Sequence, residues 1–444
     1  IKDTTATFHL RKNAKWQDGQ PVTAKDVVFT INMLTDPATT SRWGASFKNV
    51  VGYDEAQKAP TPTSLSGLTA PDDYTVQIEL TQPDSGMQGV FMFIDMLPEH
   101  ILGKIDRAKL PEQPFWREGR IGAGPYKLVK VVEGERMELE ANPDYYQGKP
   151  QIEKLNLLFF SSFDTSLAAF QKGDSLAAPM TANDVELVKS TQGAEILTTP
   201  AGVGAIEINC ALPDFSDKRV RQAISYAIDR KTICEQLFLG YADPVASELP
   251  YLKWTQPADL NPYDYDADKA KSLLQEAGWK GDKTYTLWYY YPDQITAAVM
   301  EAMQQYLQAV GINVDIKFDD GGGERTKQFN DHTWQLTYGS YGAQPAPANL
   351  SIIFGSQAKE KWSYSNPEFD KAMESALGVY SQEEQAPFYQ QAIKILNEDC
   401  PWVWLFDRKN LIAVNNGKLV TGDKPAWGAG SIRYENYAWE WSVK

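Results

Sequence analysis

TATFHLRKNAKWQDGQPVTAKDVVFTINML, residues 5–34, is the stretch that decides how this sequence is interpreted. Polar residues alternate with Phe8 and Leu10 at its start, which predicts a half-buried β-strand. Asp18-Gly19 is typical of a tight turn, because glycine accepts positive φ and aspartate hydrogen-bonds its own backbone. Thr23 can cap the helix that follows, since its hydroxyl accepts from an early helical N–H group. The segment therefore predicts a strand, a turn and a capped helix.

Length and composition limit the classes of protein to which this chain can belong. The chain has 444 residues, which predicts about two or three domains. Its apolar share of 43% is normal for a globular protein with a sizeable core. With 43 basic against 58 acidic residues the net charge is −15, which argues against a nucleic-acid partner. No apolar run approaches the roughly 20 residues that a membrane-spanning helix needs.

Motifs of catalysis and metal binding are absent from the sequence. Its three histidines lie far apart, so no HExxH zinc pair exists. It has no GxSxG motif, no Walker A loop and no GxGxxG motif. We therefore expect no catalytic residue, no metal site and no cofactor. The many carboxylates leave a glycosidase pair open, because nothing in the sequence singles one out.

The three cysteines give no clear framework. Cys210, Cys234 and Cys400 are widely spaced and form no CxxC pair, and one of them must stay unpaired in a monomer. Cys210 and Cys234 flank a predicted helix, so a bridge between these two residues and three free thiols are both open.

A later region predicts a parallel β-α-β unit. Strand-like residues run from Tyr285 to Tyr291 and from Gly311 to Phe318, and helical periodicity fills Ala297–Val310 between them. A strand, a crossover helix and a second strand form the pattern of a parallel pair. Asp217 can cap another helix further upstream. The predicted fold class is α/β.

The opening HLRKNAKWQDGQPVTAKDVVFTI resembles the signature of family 5 extracellular solute-binding proteins, the oligopeptide, dipeptide and nickel class of ABC-importer receptors. Further blocks are similar to those of the family in the same order: GAGPYKLV with ANPDYYQGKPQIEKL, NCALPDFSDKRVRQAISYAIDRKTI, and YDADKAKSLLQEAGW. Together the blocks span Phe8 to Trp279, which makes the resemblance far more specific than a single motif. Family members carry a signal sequence and an early strand region before the first block, so we expect such a segment ahead of Ile1.

The resemblance implies a two-lobed clamshell of the periplasmic-binding-protein type II, in the large family 5 form with an extra inserted domain. The inserted domain would be residues 1–118, lobe I would be 119–202 with 411–444, and lobe II would be 203–410. The chain would cross between the lobes near Ala201–Ala205 and Arg408–Val414. Gly202 and Gly204 are the predicted hinge residues, because glycine absorbs large φ/ψ changes. The alternative is that these two glycines merely end a strand.

The same resemblance implies a function without a reaction. The protein would be a monomeric, periplasmic or extracellular receptor, with a lipid anchor left open, that captures a small solute by hinge closure. It would deliver that solute to the permease subunits of an ABC transporter. A glycoside-processing enzyme and a chemosensory ligand-presenting protein on the same scaffold are the alternatives.

One loop bears on the ligand. Peptide-binding members hold the peptide α-ammonium with an aspartate in a loop of the form Gly-Trp-x-x-Asp-x-x-Asp-Pro-Asp-Asn. The matching residues 339–349 keep Gly339, Pro347 and Asn349, but all three acidic positions are alanine: Ala343, Ala346 and Ala348. An unpaired ammonium in a closed cleft costs several kcal/mol. We therefore expect an oligosaccharide or another neutral ligand first, an oligopeptide bound differently second, and an opine or metal complex last.

Aromatic and neutral polar residues around this loop are the candidate ligand contacts, because ring faces and neutral hydrogen bonds suit a sugar. The aromatic run Trp288–Tyr291 is a second candidate lining of the cleft, although a core position is an equal alternative for any one of its residues. Trp402 and Trp404 share one face of a predicted strand, which favours the core. The predicted ligand-binding residues are Tyr338, Ser340, Tyr341, Gln344, Asn349, Trp288 and Tyr290.

Overall fold

The computed structural model describes residues 4–39, 41, 43–116, 120–341, 347–358, 363–421 and 438–444. In it the opening segment folds as predicted, because strand β1 (Thr5–His9) is followed by helix α1 (Ala24–Thr35). The backbone N–H of Thr23 donates to Asp26 Oδ2 at 2.8 Å, which closes the start of the helix. The buried Asp26 carboxylate also accepts from the backbone N–H of Glu99 at 2.9 Å and from Trp16 Nε1 at 3.3 Å. This one side chain therefore joins three segments of the N-terminal unit, residues 4–116.

The N-terminal unit has a hydrophobic core of its own between α1 and a three-stranded antiparallel sheet of order β1-β3-β2. The unit contacts both of the parts that follow it. Gln17 Nε2 donates to the Tyr126 carbonyl at 2.8 Å, and the Ser85 N–H donates to the Leu377 carbonyl at 2.9 Å. Its remaining elements are α2 (Tyr53–Lys58), β2 (Leu68–Asp72), β3 (Thr75–Glu79), α3 (Met87–Val90) and α4 (Glu99–Leu102).

The next part of the chain forms a second antiparallel sheet of order β4-β5-β6 and two helices. Two hydrophobic clusters lie here, one under α5 and α6 and one around Trp441. The elements are β4 (Tyr126–Val132), β5 (Arg136–Ala141), β6 (Lys154–Leu158), α5 (Phe163–Lys172), β7 (Ala177–Met180), α6 (Val185–Ser190) and β8 (Ala194–Ile208).

The third part is an α/β lobe with hydrophobic clusters on both faces of its sheet. Its helices start at side-chain caps, as when Asp217 Oδ1 accepts from the Arg219 N–H at 2.9 Å. The elements are α7 (Pro213–Ser216), α8 (Lys218–Ala227), α9 (Arg230–Gln236), β9 (Ala242–Pro244), α10 (Ala267–Glu276), β10 (Thr284–Tyr289), α11 (Gln294–Ala309), β11 (Asn313–Phe318), α12 (Glu324–Asn330), β12 (Leu336–Tyr341), α13 (Leu350–Phe354), α14 (Pro367–Leu377), α15 (Gln382–Asp399) and β13 (Trp402–Asn415).

The predicted parallel unit is confirmed, because β10 pairs in parallel with β11 after the crossover helix α11. The strand order of the large sheet is β11-β10-β12-β8-β13-β7, and β9 pairs with β13 beside it. The chain ends with the short pair β14 (Leu419–Val420) and β15 (Ser442–Val443). In the described part of the chain no helix combines the length and apolarity that crossing a membrane requires.

Two long strands connect the lobes. β8 and β13 pair antiparallel from Glu207 opposite Trp402 to Ala194 opposite Asn415. At one end of this pair β8 also pairs with β12, and at the other end β13 pairs with β7. The sheet is therefore continuous from one lobe to the other along a single strand pair, and the exact domain bounds stay a prediction.

The disulfide between Cys210 and Cys234, which the sequence allowed, is not formed. Cys210, Cys234 and Cys400 are all free thiols. The reason is their separate surroundings: the Cys210 thiol lies 3.5 Å from the Ile208 carbonyl, whereas Cys234 lies in the buried cluster of α8 and α9.

Candidate ligand-binding site

The carboxyl ends of three neighbouring strands meet at one edge of the large sheet. β10 pairs in parallel with both β11 and β12, so the three strands end on the same side. In open α/β sheets, ligands bind in the crevice beyond the carboxyl ends of the strands. The strand pair β8–β13, which joins the lobes, passes this same edge, since Tyr341 lies opposite Val203 and Val203 lies opposite Asp407. The residues at this edge therefore form the candidate site.

A tyrosine pair stands at the end of β10. The hydroxyls of Tyr290 and Tyr291 lie 3.1 Å apart, and their ring centroids are separated by 4.4 Å. The Tyr291 ring also makes an edge contact with Tyr338, at 6.1 Å between centroids. Tyr290 remains 37% exposed, so its ring offers a face at the edge of the sheet. A ring in this position can pack against a flat part of a ligand.

Two arginines flank the tyrosine pair. The guanidinium carbon of Arg325 lies 4.9 Å from the Tyr290 ring centroid, and that of Arg408 lies 5.4 Å from the Tyr291 centroid. Arg325 is also paired with Asp319, at 3.3 Å from Nη1 to Oδ2. The nearby hydroxyl of Tyr338 raises the pKa of Arg408, which keeps it cationic. In the part of the chain that the structure describes, Nε of each arginine is buried without a hydrogen-bond partner.

The opposite face of the β12–β13 region carries acidic groups. Glu248 has no exposed surface, and neither carboxyl oxygen hydrogen-bonds to another of the described residues. Its burial raises the pKa of the Glu248 carboxyl to about 8. Asp407 lies one residue before Arg408, and burial raises the pKa of its carboxyl as well. One carboxyl oxygen of Asp407, Oδ1, likewise lacks a described partner.

Aromatic rings surround this acidic face. The Tyr341 ring makes edge contacts with Trp402 and Trp404, at 6.5 Å and 6.3 Å between centroids. The two tryptophans are buried, which agrees with the core position favoured by the sequence. The Tyr341 hydroxyl and the Trp404 indole N–H are buried, and among the described residues they have no hydrogen-bond partner. Buried polar groups in this state are uncommon in native proteins and call for a partner.

The structure distributes the predicted ligand-binding residues over several places. Tyr290 lies at the sheet edge, Ser340 lies half-buried in β12, and Tyr338 and Tyr341 are buried in clusters on opposite faces of that strand. Trp288 is buried too, and its indole N–H donates to Gln328 Oε1 at 3.1 Å. Asn349 ends the short turn before α13. Gln344 lies outside the described residues. The binding roles of all these residues stay predictions.

The predicted hinge glycines differ in their surroundings. Gly202 has φ +122° and lies opposite Arg408, next to the register shift between Arg408 and Lys409. That backbone conformation favours glycine over residues with a Cβ atom. A Cβ atom on Gly204 would instead lie 2.9 Å from the Phe406 ring, so packing requires glycine there. Gly202 therefore lies at the irregular point of the connecting strands, and Gly204 lies at a tight contact.

The sequence analysis did not identify four charged residues of this region as site residues: Arg325, Asp407, Arg408 and Glu248. Asp407 and Arg408 follow the apolar run 403–406 directly, and a charged pair after a buried strand is a signal that could have marked them. Glu248 carries no such signal, because only the tertiary structure shows that its carboxyl is buried.

Comparisons with known proteins agree with this arrangement. The family model of bacterial extracellular solute-binding proteins, family 5 Middle, matches residues 2–361. A putative ABC transporter peptide-binding protein of Brucella melitensis is 30% identical over 99% of this chain and 82% of its own length. The solved oligopeptide-binding protein AppA of Bacillus subtilis, in complex with a nonapeptide, is 25% identical and superposes with a TM-score of 0.82 over 99% of this chain and 87% of that one. NikZ of Campylobacter jejuni, in complex with Ni(L-His), shares the fold at 23% identity and a TM-score of 0.83, over 100% of this chain and 89% of that one.

Proposed function

Because the chain belongs to the family 5 bacterial extracellular solute-binding proteins, we propose that it captures an oligopeptide, or a related solute with an ammonium group, between its two lobes. The protein is the substrate-binding component of an ABC importer, acts outside the cytoplasm and is not an enzyme. Its partners are therefore a small ligand and the permease subunits. Action as a single copy is part of the proposal and is tested by sedimentation, while membrane fractionation tests the lipid anchor that the sequence leaves open.

The continuous strand pair β8–β13 is the observation that carries the proposed mechanism. Two strands that belong to both lobes let the lobes rotate about the stretch between Trp404 and Lys409, where the register shifts twice, while the pairing on either side is kept. A ligand that contacts both lobes lowers the free energy of the closed state, and it shifts the equilibrium by its preference for that state. The permease would then recognise the closed, loaded form.

The ligand class follows from the relatives and from the charges at the sheet edge. The Brucella relative and AppA are described as peptide-binding proteins. The edge offers two arginines beside the tyrosine pair and buried carboxyls at Glu207 and Glu248, an arrangement that suits a solute with both charges. The three alanines of the 339–349 loop then mean that a carboxylate elsewhere must meet an ammonium group.

An oligosaccharide is the second candidate ligand. The alanine positions in the loop and the Tyr290–Tyr291 pair at the sheet edge favour it, since a sugar needs ring faces and neutral hydrogen bonds. We rank it below the peptide because the Brucella relative and AppA are named as peptide-binding proteins.

A thermal-shift panel distinguishes the candidates. Peptides of two to five residues are tested beside di- to tetrasaccharides, and a ligand at a hundred times its dissociation constant adds roughly 2.7 kcal/mol to stability. A rise of the melting temperature with peptides is expected. A rise with sugars alone would replace the first candidate by the second. Mass spectrometry of the bound ligand should recover it intact, as required of a receptor without a reaction.

A further inference from the structure

Three hydrogen-bonding groups lie buried on one face of the sheet, within the cluster that contains Tyr341. They are the Glu248 carboxyl, the Tyr341 hydroxyl and the Trp404 indole N–H, and in the described part of the chain none has a hydrogen-bond partner. Nearly all buried polar groups in native structures are hydrogen-bonded. Several unsatisfied groups in one cluster therefore indicate a binding partner that the described residues do not supply.

Glu248 is held in this place by the strands that join the lobes. The segment that carries it follows β9, which pairs with β13 at Phe406–Arg408, and the Val245 N–H donates to the Leu405 carbonyl at 3.2 Å. Its neighbour Leu249 packs in the same cluster as Tyr341 and Trp404. Val245 and Tyr251 of the same segment also pack against this cluster, which places the Glu248 segment beside the end of β12.

The surroundings of Glu248 suit a cation. Tyr251 on its own segment and Tyr341 on β12 are titratable groups of the cluster beside it. None of these is basic, and no described lysine or arginine hydrogen-bonds to its carboxyl. The rings of Tyr341, Trp402 and Trp404 add π-faces, which attract an ammonium group. A metal ion fits less well, because the described residues contain no cluster of three His, Cys, Asp or Glu ligands.

We propose that Glu248 is the specificity-determining carboxylate of the ligand site and receives an ammonium group of the bound solute, with the Tyr341 hydroxyl oxygen as a second acceptor. The inference rests on the proposed function as a receptor for an amine-bearing solute. It explains how such a solute can be bound although alanine occupies the acidic positions of the 339–349 loop. The Trp404 N–H is then available to donate to an oxygen of the same solute or to the Glu248 carboxylate.

The test compares one peptide with its acetylated form. Purified protein is incubated with a mixed library of tri- to pentapeptides that lack Arg and His, and mass spectrometry identifies the retained peptide. Its dissociation constant is then measured by titration calorimetry, before and after acetylation of every amine. The same two titrations are made on Glu248→Gln and on the control Glu301→Gln, which removes one carboxylate from an exposed position of α11.

The expected result is a loss of affinity of about 10- to 100-fold on acetylation and a similar loss in Glu248→Gln, the range for a hydrogen bond between charged groups. Acetylation should cost much less in Glu248→Gln than in wild type, because the partner is already gone. Glu301→Gln should match wild type. The comparison of the free and the acetylated peptide is made on the wild-type protein, so it tests the inference even if Glu248→Gln folds poorly.

Two results would overturn the inference, and they differ from each other. Peptide binding that changes less than twofold on acetylation or in Glu248→Gln leaves the receptor function standing and removes Glu248 from the site. A wild-type protein that retains no peptide but binds an oligosaccharide overturns the proposed ligand class, and the role of Glu248 with it.

Discussion

The sharpest stability prediction concerns Glu248→Gln in the absence of ligand. Burial raises the pKa of this carboxyl to about 8, against 4.5 for a glutamate in water. Between these two pH values the folded state binds one proton more than the unfolded state. Stability therefore falls as pH rises through this window, by about 1.4 kcal/mol per pH unit. The neutral amide of the variant is free of this dependence.

The magnitude follows from the width of the window. Between pH 5.0 and 7.5, ionisation of the unfolded chain lowers the stability of wild type by about 3 kcal/mol relative to the variant, an upper value because the site can relax. We expect the two proteins to be nearly equally stable at pH 5.0. At pH 7.5 Glu248→Gln should be the more stable, because the amide keeps the size of the side chain and carries no charge to bury.

Urea unfolding at pH 5.0, 6.0, 7.0 and 8.0 measures the difference, with Glu301→Gln as the control for loss of an exposed carboxylate. A constant difference between the proteins across this range would refute the buried, neutral state of Glu248. A variant less stable than wild type at pH 7.5 would refute it as well, because it would mean that a cation of the protein already pairs with the carboxylate.

Three further predictions follow from single contacts. Asp26→Ala removes the acceptor of four hydrogen bonds, so urea unfolding should show a loss of about 3 kcal/mol or more. Gly202→Ala places a Cβ at φ +122° and should cost about 1–2 kcal/mol in the same assay, and X-ray scattering should show less ligand-induced compaction. Burial raises the pKa of Cys210 to about 11 and that of Cys234 to about 12, so iodoacetamide at pH 8 should leave the native thiols unmodified.

Each of these predictions has a control or a contradicting outcome. Asn substitution at Asp26 retains one acceptor oxygen and should cost less than Ala. Gly378→Ala places a Cβ at a helical glycine with only ordinary contacts, so it should be nearly neutral. Unfolding without reductant should expose three reactive cysteines by mass spectrometry. A single adduct would mean that a disulfide forms after all.

Local patterns determined most of the secondary structure. The caps at Thr23 and Asp217 and the periodicity of residues 285–318 depend on neighbours in the chain, so the sequence alone predicted α1, α8 and the parallel β10-α11-β11 unit. The family blocks then supplied the two-lobed architecture, which the family model and the superpositions confirm.

Strand ends were predicted less well, because pairing sets them. The sequence predicted a strand at Trp402 and Trp404 and gave no sign of its length, whereas β13 continues to Asn415 and pairs with β8 from Ala194 onward. Polar residues such as Lys409 and Asn410 carry no strand pattern of their own, but they continue β13 because Pro200 and Thr199 of β8 pair with them. The sequence therefore predicted where the chain crosses between the lobes, but only long-range strand pairing shows how long the crossing strands are.

The sequence by itself determined the family, the absence of catalytic motifs and the loss of the acidic residues from the 339–349 loop. Only the tertiary structure decided which charged groups come together at the sheet edge. It places Arg408 over Tyr291 and buries Glu248 near Tyr341, although these residues lie far apart in the chain. The physical reason is that the charge and desolvation of a buried group depend on which segments pack against it. The residue pattern of one segment does not show which other segments those are.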